Sequence, residues 1–124
     1  MIRIKVLNQK SKKEFNKGLQ KLEKKMIYPY GSDSFRIDHG ESYFAFFDRM
    51  GESIFHIATD KDEVVACGCG ISRVVPKNGS LIKVWYLCDL KVDLEYRGRR
   101  LPSRLFRRNL IFNYLKCPRG YTIS

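Results

Sequence analysis

Leu90-Lys91-Val92-Asp93-Leu94-Glu95-Tyr96-Arg97-Gly98-Arg99-Arg100-Leu101-Pro102-Ser103-Arg104-Leu105 is the stretch on which the fold of this chain turns. It sits inside a longer segment, Val84 to Leu115, in which an apolar strand runs into the basic turn Arg97-Gly98-Arg99-Arg100 and then directly into a helix. Pro102 suits the first turn of that helix, where the missing N–H is not needed by the helical ladder. A strand that feeds a glycine-containing turn into a helix start leaves backbone N–H groups and the positive end of a helix dipole aimed at one spot. Such a spot suits a phosphate.

Upstream, Ile2, Ile4 and Val6 alternate as in a strand. Ser11 with Glu14 three residues on reads as a capping box opening an amphipathic helix. The turn-rich Tyr28 to Asp33 follows, then Glu41 to Met50, which reads as a short aromatic helix stopped by Gly51. Strand patterns then dominate: Ile54 to Thr59, Val64 to Val75 and Leu81 to Asp93, separated by the turns Asp60 to Glu63 and Pro76 to Gly79. These three form an antiparallel meander, and Gly68 and Gly70 in its middle strand predict a bulge or a close backbone approach.

After the basic turn come the helix Pro102 to Lys116, a Cys117-Pro118-Arg119-Gly120 break, and a segment, Gly120 to Ser124, that reads as the first residues of a strand. The order β-α-α-β-β-β-α-β predicts one α/β domain over residues 1–124. Its sheet is mostly antiparallel and flanked by helices, and the last helix is a crossover that sets the terminal strand parallel to the third meander strand.

At 124 residues, 44% hydrophobic and 30% charged, the composition is that of a soluble globular chain rather than a disordered or membrane-spanning one. No signal peptide or spanning run is present in the sequence, so the cytoplasm is the expected compartment and no membrane partner is expected. The net charge of +11 calls for an anionic partner, whether nucleic acid, anionic lipid or a phosphorylated cofactor. The excess falls in two blocks. Lys10, Lys12, Lys13, Lys17, Lys21, Lys24 and Lys25 read as the solvated face of a helix whose Phe15, Leu19, Leu22 and Met26 form the core stripe. Arg97, Arg99, Arg100, Arg104, Arg107 and Arg108 coincide with the turn and invite a functional reading.

The four cysteines make no metal pattern: Cys67-Gly68-Cys69 is too tight for a zinc knuckle, and Cys88 and Cys117 stand alone in sequence. They read as small core residues. Neither His39 nor His56 has a second histidine or cysteine at ligand spacing, so no metal is expected.

The order of elements and the Leu90-x-Val92, Tyr96-Arg97-Gly98 segment resemble the GNAT superfamily of N-acetyltransferases over essentially the whole chain. The segment departs from the family pattern at Arg100 and Pro102, where the family usually has Gly, then Gly or Ala. The resemblance implies acetyl-CoA as cosubstrate, held by the backbone of Leu90, Lys91 and Val92 at the acyl-pantetheine end. The turn Arg97, Gly98, Arg99, Arg100, Leu101, Pro102 and Ser103 would hold the pyrophosphate. It further implies direct attack of an amine on the thioester, with the Val92 N–H polarising the carbonyl. Asp89 and Glu41 are the carboxylates to examine for deprotonating the amine.

The family's usual tyrosine acid follows the terminal strand, so the sequence is expected to correspond to the front two-thirds of such an enzyme. The helix after Pro102 shows two apolar stripes, Leu101, Leu105, Phe112 and Leu115, and Phe106, Leu110 and Tyr114. The second stripe predicts a covering partner, hence a homo-oligomer. Two other function classes stand beside acetyl transfer: a basic nucleic-acid-binding module using Arg97 to Arg108 with Tyr96 and Phe106 for stacking, and a non-catalytic remnant of the same fold. Most aromatics cluster at Tyr43 to Phe47, away from the arginines, which sets nucleic acid behind acetyl-CoA.

Overall fold

Strands β1 (Ile2–Leu7), β4 (Glu52–Asp60), β5 (Glu63–Lys77), β6 (Ser80–Val92) and β7 (Gly120–Thr122) form one sheet in the order β1-β4-β5-β6-β7 in a computed structural model that describes residues 1–107, 117 and 119–122. Helix α1 (Gln9–Lys24), a hairpin of β2 (Tyr28–Tyr30) and β3 (Asp33–Phe35), and helix α2 (Ala45–Asp48) lie between β1 and β4. A 3-10 turn (Leu94–Tyr96) and helix α3, described over residues 101–107, follow β6. The meander is antiparallel, and β7 runs parallel to β6 with Trp85, Tyr86 and Leu87 opposite Gly120, Tyr121 and Thr122. The expected mixed sheet is therefore observed. Its two hairpin turns use positive φ at Lys61 (50°) and Asp62 (65°), and at Asn78 (50°) and Gly79 (80°), the backbone hand that matches the twist of paired strands.

Three local details differ from the sequence reading. Helix α1 begins earlier and is capped by Asn8, whose side chain accepts from the Ser11 N–H at 2.8 Å and from the Ser11 hydroxyl at 2.9 Å. Ser11 thus lies inside the first turn, and its hydroxyl is spent on the cap. The stretch 28–35 is a small hairpin, and only Ala45–Asp48 of the segment 41–50 is helical. Lys12 does not belong to the solvated lysine face. It is buried, with its ammonium near Asp48 Oδ1 at 3.4 Å, Ser53 Oγ at 3.2 Å and the Ser53 carbonyl at 3.4 Å.

The sheet carries a core on each face. On one face Leu19 and Leu22 of α1, Met26 just beyond it, and Tyr43, Phe44 and Phe47 pack against Phe55, Ile57, Cys67, Cys69 and Ile71. On the other, Leu101 and Leu105 of α3 pack on Ala58, Val65 and Ala66. The alternation of Phe55 and Ile57 with His56 and Ala58 is what a strand covered on both sides requires.

The glycine in β5 proves to be a point of close approach. A Cβ on Gly68 would lie 2.4 Å from Phe106 Cζ, so the ring of α3 rests directly on the bare backbone. Phe106 thus packs toward the sheet together with Leu101 and Leu105, whereas the sequence reading set it on a separate, outward stripe. Leu110, Phe112, Tyr114 and Leu115 lie outside the described residues.

Candidate active site

The decisive local event is a register slip in β6. Cys67 faces Lys91 and Cys69 faces Cys88, so Gly68 alone opposes both Asp89 and Leu90, and Asp89 takes φ 55°. An extra residue on one strand is a β-bulge, which re-aims the side chains around it. Here it brings Asp89 and Lys91 together, with Lys91 Nζ 2.7 Å from Asp89 Oδ1.

Around that pair lies a chain of polar groups within the aromatic core. The Tyr43 hydroxyl donates to Asp89 Oδ2 at 2.6 Å, and Lys91 Nζ donates to the same Tyr43 oxygen and to Glu23 Oε1 at 3.4 Å. Glu23 in turn holds His39, accepting from its backbone N–H at 3.1 Å and from ring Nδ1. Glu23, Tyr43 and Lys91 are all buried. Burial pushes the Lys91 ammonium toward its neutral form, but the Asp89 carboxylate outweighs this and holds the pKa above its ordinary value. Burial, reinforced by the neighbouring Cys67 and Asp89, pushes the Tyr43 hydroxyl far up, so it stays a hydrogen-bond donor.

Two cavities meet at the bulge. One, of about 320 Å³, is lined by Leu90 and Val92 of β6, Arg97 and Gly98 of the turn, and Leu101 and Pro102 at the start of α3. The other, of about 300 Å³, is lined by His39, Phe46 and Phe47 on one side and by Tyr86, Cys88, Asp89 and Leu90 of β6 on the other. Leu90 borders both. Among the described residues, β6 from Cys88 to Val92 pairs only with β5, because its pairing with β7 covers Trp85 to Leu87.

The turn beside the first cavity is anchored at both ends. Asp93 donates its N–H to the Val65 carbonyl at 2.8 Å, and its carboxylate accepts from Lys25 Nζ at 2.8 Å and from the Glu95 N–H at 3.2 Å. The Lys25 hydrogen bond holds the Asp93 carboxyl below its usual range despite burial. The Tyr96 hydroxyl donates to Asp60 Oδ2 at 2.6 Å, and Arg99 lies over the Tyr96 ring at 4.6 Å. Gly98 and Arg100 both adopt positive φ, 82° and 56°. Arg100 thus takes a backbone conformation that glycine adopts freely and other L-residues adopt at a cost.

Of the residues singled out from sequence for the cofactor, Leu90, Val92, Arg97, Gly98, Leu101 and Pro102 share one cleft. Arg99 and Arg100 are exposed on the same turn and Ser103 is exposed at the start of α3, while the Lys91 side chain is buried in the polar chain. Asp89 borders the second cavity; Glu41 is exposed in a third, of about 510 Å³, beside Arg36 and Asp38, with its carbonyl held by Asn16 and Gln20. The two carboxylates are not brought together.

Glu23, His39 and Tyr43 were missed. Glu23 carried a readable signal, since it falls four residues after Leu19 and three before Met26, on the apolar stripe of α1. Of the aromatics that nucleic-acid stacking would use, Phe106 packs onto Gly68, and Tyr96 donates to Asp60 with Arg99 over its ring. Among the described residues no helix is long and apolar enough to cross a membrane.

No protein-family model matches the chain, and no curated protein matches it in sequence. Its three-dimensional likenesses are to acetyltransferases. A predicted acetyltransferase from Clostridium acetobutylicum crystallised with acetyl-CoA superposes with TM-score 0.67 at 13% identity, over 100% of this chain and 81% of that one. Glucosamine-6-phosphate N-acetyltransferase from Arabidopsis thaliana gives TM-score 0.63 at 14% identity, over 100% and 82%. AAC(6')-Iy in complex with the bisubstrate analogue CoA-S-monomethyl-acetylneamine gives 0.68 at 16% identity, over 100% and 80%. The chain has the GNAT N-acetyltransferase fold. In this GNAT fold the bulged strand, the Arg97 turn and α3 form one continuous unit, and the two cavities flank its bulge.

Proposed function

We propose that this chain is an acetyl-CoA-dependent N-acetyltransferase acting on an amine. The observation that carries the reading is the meeting of two cavities at Leu90, one bordered by the Arg97–Gly98 turn and the other by His39 and Asp89. The first suits the pyrophosphate and pantetheine of acetyl-CoA, with positive side chains and a helix start on its rim. The second suits the amine. Attack of the amine nitrogen on the thioester carbonyl forms the C–N bond, expels the CoA thiolate and releases a proton from nitrogen. The Val92 N–H is the donor assigned to the carbonyl oxygen.

For that proton we assign His39. Its Nδ1 faces the Glu23 carboxylate, an arrangement that holds the N–H on that nitrogen and leaves Nε2 as the acceptor. Asp89 borders the same cavity, but each of its oxygens already accepts a hydrogen bond, from Lys91 or Tyr43. Its role is to position them. Glu41, in the separate cavity, takes no part in this assignment.

Calorimetric titration at low salt tests the cofactor site. CoA and dephospho-CoA, which both carry the pyrophosphate, should give heat and pantetheine much less, and Arg97→Ala should lose more affinity than Lys17→Ala. An equal response to all three compounds, or equal losses in the two variants, would refute the phosphate role of the turn. A thiol-release assay across amines then tests transfer, with His39→Gln expected to lower the rate and a rate equal to the parent's refuting the assignment.

A further inference from the structure

Cys69 and Cys88 are nineteen positions apart in sequence yet directly opposite across β5 and β6, so their side chains leave the sheet on the same face. Opposed residues in antiparallel strands have Cα separations of about 4.5 or 5.5 Å, and both fall in the range of about 4.4–6.8 Å that a disulfide spans. Both cysteines are free in the structure. Their surroundings differ in a way that matters for chemistry. Cys69 is completely buried, whereas Cys88 is partly exposed and borders the cavity it shares with His39 and Asp89. Each thiol acts on the other: Cys69 lowers the pKa of Cys88, and Cys88 together with burial raises that of Cys69.

The other two thiols are placed differently. Cys67 Sγ is buried at 3.4 Å from the Asp89 carbonyl, and Cys117 Sγ is 3.0 Å from the Lys83 carbonyl. An accessible thiol bordering a cavity, backed by a second thiol in register behind it, is the arrangement of an oxidisable pair with a resolving partner.

We propose that Cys88 and Cys69 form a peroxide-sensitive modification site that closes to an intramolecular disulfide between β5 and β6. The Cys88 thiolate attacks one peroxide oxygen, breaking the O–O bond and giving the sulfenic acid and hydroxide. The Cys69 sulfur then attacks the Cys88 sulfur, forming S–S and releasing water. The peroxide is reduced by two electrons and the two thiols are oxidised. The new bond ties β5 to β6 one residue before the bulge at Asp89.

The test uses the full chain treated with hydrogen peroxide, then alkylated, digested and weighed. The expected product is a linked Cys69–Cys88 peptide pair that escapes alkylation, weighs about 2 Da less than the sum of its two unmodified peptides, and is released by dithiothreitol. Cys88→Ser should abolish the loss, and Cys69→Ser should stop the oxidation of Cys88 at an oxygen adduct trapped by dimedone. An unchanged mass, a bond mapped to Cys67 or Cys117, or a bond between chains would overturn the proposal. Because the readout is mass, its outcome is independent of whether CoA binds.

Discussion

Gly68→Ala probes the contact that seats α3, and with it the Arg97 turn, on the sheet. The added carbon would stand 2.4 Å from Phe106 Cζ and 3.0 and 3.1 Å from Cε1 and Cε2. Carbon atoms rest at about 3.5–4.0 Å, so the ring must withdraw by roughly an ångström or more. Overpacking of this kind costs about 1–3 kcal/mol. Against it stands the smaller conformational freedom of an alanine in the unfolded chain, about 0.4–1 kcal/mol. The net expectation is a destabilisation of about 1–2 kcal/mol, read by urea unfolding as a lower midpoint at constant slope. CoA affinity should fall in the same variant, since Leu101 and Pro102 border the cleft proposed for the cofactor, on the helix that Phe106 holds.

The control is Phe106→Ala. In that background the clash has no partner, and Gly68→Ala should become neutral or stabilising by about 0.4–1 kcal/mol. Equal destabilisation with and without the ring, or a Gly68→Ala chain as stable as the parent, would refute the argument.

Three further outcomes follow from the site. Lys91→Met leaves the Asp89 and Glu23 carboxylates facing a buried space without their cation, and should cost about 3–5 kcal/mol in denaturant unfolding; a loss below 1 kcal/mol would mean that water replaces the ammonium. Arg100→Gly should stabilise by about 0.5–1 kcal/mol, because removing the side chain at φ 56° relieves more strain than the freer unfolded chain costs; destabilisation would show that the Arg100 side chain contributes a contact of its own. The Asp93 carboxyl has a folded pKa below its unfolded value of about 3.9, so the stability it contributes is present above that value and lost as pH falls through the folded pKa; Asp93→Asn should flatten the acid limb of stability against pH, and an unchanged slope would refute the Lys25–Asp93 link.

The features legible along the chain are local: the alternation of the meander strands, the polar turns between them, the apolar stripe of α1, and the strand-turn-helix segment around Arg97. Each rests on neighbours a few residues apart, where periodicity and turn chemistry act directly. Even there, one competing short-range bond misplaced a boundary, since Asn8 rather than Ser11 caps α1. The polar chain behind the second cavity depended on the tertiary structure. Apart from the Asp89–Lys91 pair it joins residues 16 to 68 positions apart, from Glu23 with His39 to Glu23 with Lys91, and its centre exists because β6 carries one residue more than β5 at Asp89. A single-residue slip exchanges the faces of every side chain beyond it. No alternation pattern read along β6 could place Lys91 inside the core or set Cys88 opposite Cys69, because both depend on which residue of the neighbouring strand each one meets.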